Sequence, residues 1–112
     1  MDATVPLDID ITFQSATASS GDVEWDVLAT LVPTAGGTLG SLTEASASVV
    51  KTVTAANTVF MANVDLSVDG LFPGALLVIK VTRDAQAGNT EDTYADGVNL
   101  MFVECRGTKW KV

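Results

Sequence analysis

The chain has 112 residues, enough for one domain around one hydrophobic core, and 47% of them are hydrophobic, which excludes wholesale disorder. Fourteen acidic residues oppose six basic ones, a formal charge of −8, and this argues against a nucleic-acid partner, because phosphate backbones are met by clustered Lys and Arg. No apolar run approaches the ~20 residues of a membrane helix, and the acidic start MDATVPLDID lacks the order of a secretion signal; the expectation is a soluble, unprocessed protein with no membrane partner.

Residues 7–13, LDIDITF, alternate strictly between apolar and polar, the pattern of a half-buried strand. Small polar residues then form a loop through Asp22. Residues 23–32, VEWDVLATLV, make a second strand whose core face carries Val23, Trp25, Val27, Ala29 and Leu31, and Pro33 ends it. The stretch 33–48 contains Gly36, Gly37 and Gly40 but no following lysine, so it reads as a connection and not as a phosphate-binding loop. Residues 45–54 carry Val49, Val50 and Val53 and read as a strand of uncertain register. From Asn57 another strand places Phe60, Ala62, Val64, Leu66 and Val68 on one parity.

Two turn signals, at 68–70 and 71–74, lead into the stretch that organises the chain. Here two apolar runs, 75–81 and 98–105, flank a polar connection, which reads as two strands joined by an exposed loop. In the first run Leu77, Ile79 and Val81 point inward. In the second, Met101, Val103 and Cys105 share one parity, and Leu100, Phe102, Glu104 and Arg106 share the other. Six or seven strands with Gly, Asp and Pro turns and no helical period predict an all-β fold, an antiparallel two-sheet sandwich or jelly roll. One domain would span residues 1–112, with short arms at 1–6 and 107–112.

Val59 and Met61, Leu28 and Val32, and Leu100 and Phe102 all fall opposite the inferred core faces. A monomeric sandwich buries one side of each strand, so these apolar residues point to burial against other subunits or a host surface.

Chemistry is sparse. There is one cysteine and no histidine, so neither a structural zinc site nor a Ser-His-Asp or Cys-His set can form. Cys105 reads as a small buried hydrophobe. The acids at Asp8/Asp10 and Asp22/Glu24/Asp26 have strand spacing and read as solvated faces and not as a glycosidase pair. Asp84, Glu91, Asp92 and Asp96 are oxygen ligands of the kind that calcium takes, but without EF-hand order; an Arg83–carboxylate pair holding the loop fits better, since the guanidinium fork grips a carboxylate at two points. No catalytic residue, cofactor or metal site is predicted. Arg106, Lys109 and Lys111 form a basic end on an acidic body, read either as a solvated tail or as a dock for an acidic partner.

VTRDAQAGNTEDTYADGVNLMFVECR resembles small β-sandwich domains of tailed-bacteriophage virion proteins, through Arg83-Asp84, Asp92-Thr93, Asp96 and the Leu100/Val103/Arg106 set, with Trp25-Asp26 and the turn Pro73-Gly74 before Leu76-Leu77 upstream. The resemblance covers about half the chain and departs from that pattern at Gly107-Thr108-Lys109-Trp110. It implies a jelly-roll or related sandwich that forms homo-oligomers, dimer or trimer, on the particle surface. The length favours a head decoration (cement) protein over a fibre. Such a protein works without catalysis, binding the major capsid protein on the outer surface of the virion. The alternative is a receptor- or carbohydrate-binding module of a head fibre or tail fibre. The terminal segments would be the arms that reach neighbours, with Arg106, Lys109, Trp110 and Lys111 as contact residues, joined by Leu100 and Phe102.

Overall fold

Six stretches of alternating or apolar sequence become six antiparallel strands in the computed structural model, which describes residues 4–32, 43–69, 76–86 and 88–107. They are β1 (Thr4–Gln14), β2 (Gly21–Val32), β3 (Thr43–Val53), β4 (Val59–Asp69), β5 (Leu76–Arg83) and β6 (Asn99–Gly107). Sheet A has the order β4-β1-β6 and sheet B the order β3-β2-β5. No helix occurs among the described residues. The two-sheet antiparallel sandwich is as expected; the eight strands of a full jelly roll compare with six described here.

Each sheet contributes one apolar face. Leu7, Ile9, Ile11 and Phe13 of β1 and Ala62, Val64, Leu66 and Val68 of β4 face Val23, Trp25, Val27 and Ala29 of β2, and all are buried. Phe13 sits at the centre of an aromatic cluster, with ring centroids 5.4 Å from Trp25 and 6.0 Å from Phe60. The Trp25 indole N–H is buried without a partner among the described residues, a cost of ~1–3 kcal/mol that burial of the large ring offsets.

The sandwich is closed on one side and open on the other. Strands β3 and β4 approach within 8 Å between Cα atoms, where the turn 54–58 carries the chain from sheet B to sheet A. Asn57 takes a left-handed φ of 49° in that turn, a conformation Asn tolerates. Buried Ser15 ties the turn down: its hydroxyl donates to the Ala55 carbonyl and accepts from the Thr58 amide. On the opposite side, no Cα of β5 comes within 8 Å of one of β6.

The two runs are strands joined by a loop, as expected, and they lie in different sheets: β5 pairs with β2 and β6 with β1. Two readings of the sequence need correction. A bulge shifts the β1–β6 register, pairing Thr12 with Phe102 but Phe13 with Leu100, so Met101 has no partner and Leu100 joins the core-facing parity of Val103 and Cys105. Cys105 has inward parity, opposite Ile9, yet is exposed because no described strand of sheet B covers β6.

Candidate docking surface

The connection between β5 and β6 is an anchored plug built on Arg83. This guanidinium donates to both carboxylate oxygens of Asp92, at 2.9 and 2.8 Å, and to the backbone carbonyls of Tyr94 and Asp96. It also lies 5.7 Å from the Tyr94 ring centroid. Asp92 in turn accepts from the Glu24 amide, and the Thr93 and Tyr94 amides donate to the Asp22 carbonyl. Tyr94 is buried; its hydroxyl accepts from the Ala16 amide and donates to the Ala18 carbonyl. Asp96 accepts from the Thr17 hydroxyl and the Ala18 amide. The Arg83–carboxylate pair was legible in the sequence; the role of Tyr94 was not, because a lone Tyr in a polar stretch carries no periodicity.

Burial pushes the Asp92 pKa up, but the Arg83 hydrogen bonds, the Glu24 amide and the Arg83 charge outweigh it and hold the carboxyl below its ordinary value. The Thr17 and Ala18 hydrogen bonds likewise lower that of Asp96. Both acids are therefore occupied as loop clamps. Of the four loop acids, Asp84 alone joins a carboxylate cluster, with Glu24 and Asp26, in which the oxygens lie within 4.8 Å of one another. Partial burial, then the charges of Asp26 and Asp84, raise the Glu24 pKa, as crowding of like charges requires. Carboxylate oxygens grouped in this way are of the kind a hard cation takes.

Gly21 lets the plug approach β2. Its φ is +133°, and a Cβ there would lie 2.7 Å from the Tyr94 Cα. Gly21→Ala is expected to lower stability by about 1–3 kcal/mol, visible as an earlier thermal midpoint; an unchanged midpoint would show that the plug is loosely seated.

The outer face of sheet A divides into a charged and an apolar half. Asn63 and Arg106 bracket Asp8 and Asp10 from the two flanking strands: the Asn63 amide donates to both carboxylates, and Arg106 Nη2 lies 3.1 Å from Asp8 and 2.5 Å from Asp10. Arg106 also reaches Glu104 at 3.5 Å. These acids thus form a cross-strand ladder. Towards the plugged end, Val59, Met61 and Phe102 are exposed at 53%, 53% and 56%, with Thr12 opposite both Met61 and Phe102.

Strand β6 is apolar on both sides and lies at the edge of its sheet. Leu100, Met101, Phe102 and Val103 are consecutive and all exposed. Phe102 lies on the outer face, as the sequence reading placed it, whereas Leu100 lies on the core-facing side and is exposed there, and Arg106 is engaged by its own sheet. Lys109, Trp110 and Lys111 lie outside the described residues, as do the segment 108–112, the turn at 73–74 and the glycines at 36, 37 and 40. For Cys105, partial burial and then the Asp8 carboxylate raise the thiol pKa above the ordinary 9.0, so the side chain stays protonated at neutral pH.

The outer face of sheet B carries a shallow depression of about 370 Å3, lined by Asp26, Leu28, Ser46, Ser48, Lys80 and Thr82 among others. No known family model, curated protein or solved structure matches the chain.

Proposed function

We propose that this protein is a non-enzymatic structural protein that acts by docking, in the role of a capsid decoration (cement) protein on the outer surface of a phage head. The observation that carries the docking role is β6: an edge strand with four consecutive exposed apolar side chains, continuous with Val59 and Met61 on the outer face of sheet A. Apolar surface on this scale marks contacts, and a free strand edge offers unpaired backbone groups to a partner. The resemblance to tailed-phage virion sandwiches supplies the partner, the major capsid protein, and the oligomeric character of the assembly.

Co-sedimentation with empty phage heads tests the reading. The expected result is saturable binding that Phe102→Asp abolishes, since a buried unpaired charge there costs several kcal/mol. Wild-type protein left in the supernatant, or binding indifferent to Phe102→Asp, would overturn it.

A receptor- or carbohydrate-binding module is the second reading, and the depression on sheet B favours it. Its Asp, Ser, Lys and Thr groups are donors and acceptors suited to sugar hydroxyls. Binding on a glycan array that Asp26→Ala removes would select this reading over the first.

A further inference from the structure

Among the described residues, the open side of the sandwich leaves two unpaired strand edges, β5 in sheet B and β6 in sheet A. It also leaves the core unfinished. Leu77, Ile79 and Val81 of β5 have core parity but are only half-buried. Leu100, Val103 and Cys105 of β6 have core parity and are exposed. The geometry points to a second copy of this chain as the occupant of that side, with β5 of each copy pairing antiparallel with β6 of the other.

Three observations agree on this arrangement. The first is direction. The Phe13–Trp25 contact joins the end of β1 to the start of β2, so these strands run oppositely; β6 is antiparallel to β1 and β5 to β2, and hence β5 and β6 also run oppositely. A two-fold axis parallel to the strands, set in the open side, exchanges the two layers and preserves every strand direction. It therefore brings β5 beside the partner's β6 in antiparallel orientation, within one continuous sheet.

The second is level. The same axis keeps each residue at its own height. Phe13 pairs with Leu100 and Trp25 with Arg83, so the Phe13–Trp25 contact puts Leu100 and Arg83 level. Moving down the sandwich, Val103 (opposite Ile11) comes level with Val81 (opposite Val27), and Cys105 (opposite Ile9) with Ile79 (opposite Ala29). Core-parity residues thus meet core-parity residues across the new pairing.

The third is charge. In this register the exposed Lys80 of one copy faces Glu104 of the other, twice in the dimer, and a cross-strand pair of opposite sign is favourable where like charges are not. Shifting the register by two residues would set Lys80 against Phe102 instead. Nothing in the level argument uses charge, so the agreement is independent support. Leu100 and Val103, exposed at 43% and 37%, and the exposed Cys105 lie on the core-facing side of β6, so the pairing covers apolar surface that one copy alone leaves open. The pairing leaves Val59, Met61 and the outer side of Phe102 clear. It deepens the homo-oligomeric part of the reading above and rests on that part alone.

Light scattering on the purified protein and three variants tests it. The wild type is expected at the mass of two chains. Lys80→Glu, at an exposed position, should fold normally by circular dichroism but weaken the dimer ~10-fold or more, because it sets like charges opposite each other at two places. Adding Glu104→Lys should restore it. Separately, Ile79→Cys should oxidise with native Cys105 to a covalent dimer, since directly opposed Cα atoms fall within the ~4.4–6.8 Å a disulfide spans while the Cα atoms of β5 and β6 in one chain are more than 8 Å apart. A monomer, a trimer, or a dimer indifferent to both the charge swap and Ile79→Cys would overturn the pairing. A charge-sensitive dimer that ignores phage heads would leave the pairing standing and sink the capsid role.

Discussion

Arg83→Met is expected to destabilise the protein by about 3–5 kcal/mol, the range for removing one partner of a buried ion pair. The side chains of Arg83 and Asp92 are 15% and 2% exposed, so the carboxylate would be left charged and unpaired away from water. The same change strips the donors from the Tyr94 and Asp96 carbonyls. The plug would detach from the start of β2, and with it Tyr94 from its bonds to Ala16 and Ala18. Denaturant unfolding reads the loss directly. A double-mutant cycle with Asp92→Leu should recover part of it, because the orphaned charge is then gone. A loss below about 1 kcal/mol would mean that the pair behaves as a surface bridge.

The same ion pair sets an acid limit. The folded-state pKa of Asp92 lies below its ordinary value of 3.8, so at pH values between the two the unfolded chain binds more protons than the folded one. The contribution is fully present above 3.8 and is lost as pH falls through the folded value. Asp96 acts in the same direction. Stability of the wild type should therefore fall as pH drops below about 4, and this part of the fall should shrink in the Arg83→Met/Asp92→Leu variant. An identical acid slope in both would refute the assignment to Asp92.

Phe13→Ala is expected to cost about 3–5 kcal/mol, as large-to-small changes in closed cores do. Phe13 is fully buried and touches aromatic rings from β2 and β4, so its loss opens a void shared by both sheets. For a domain of this size the thermal midpoint should fall by at least about 12 °C. Because a whole domain is stable by only about 5–15 kcal/mol, the variant would sit near the edge of folding. A midpoint within a few degrees of wild type would show that Trp25 and Phe60 collapse into the space.

Much of the architecture was legible in the amino-acid sequence, for a definite reason. Side chains alternate across a pleated strand, so the parity of Leu7, Ile9, Ile11 and Phe13, or of Val23, Trp25, Val27 and Ala29, names a core face without any knowledge of what covers it. All six strands, the lack of helical period and the grip of Arg83 on a loop carboxylate follow from such local rules. So does the surplus of apolar residues on outward positions, of which Val59, Met61 and Phe102 are exposed.

What local pattern cannot carry is which strand lies beside which, because partners are separated by tens of residues and chosen by packing. Only the tertiary structure sends β5 and β6 to different sheets, sets the bulge that moves Leu100 to the core side, and leaves Cys105 uncovered. Tyr94 becomes a core residue only because Gly21 gives the plug room to approach β2. The open edge is of the same kind: apolar residues on β5 and β6 are written in the sequence, but their exposure is a consequence of two layers that meet at β3 and β4 and part at the other side.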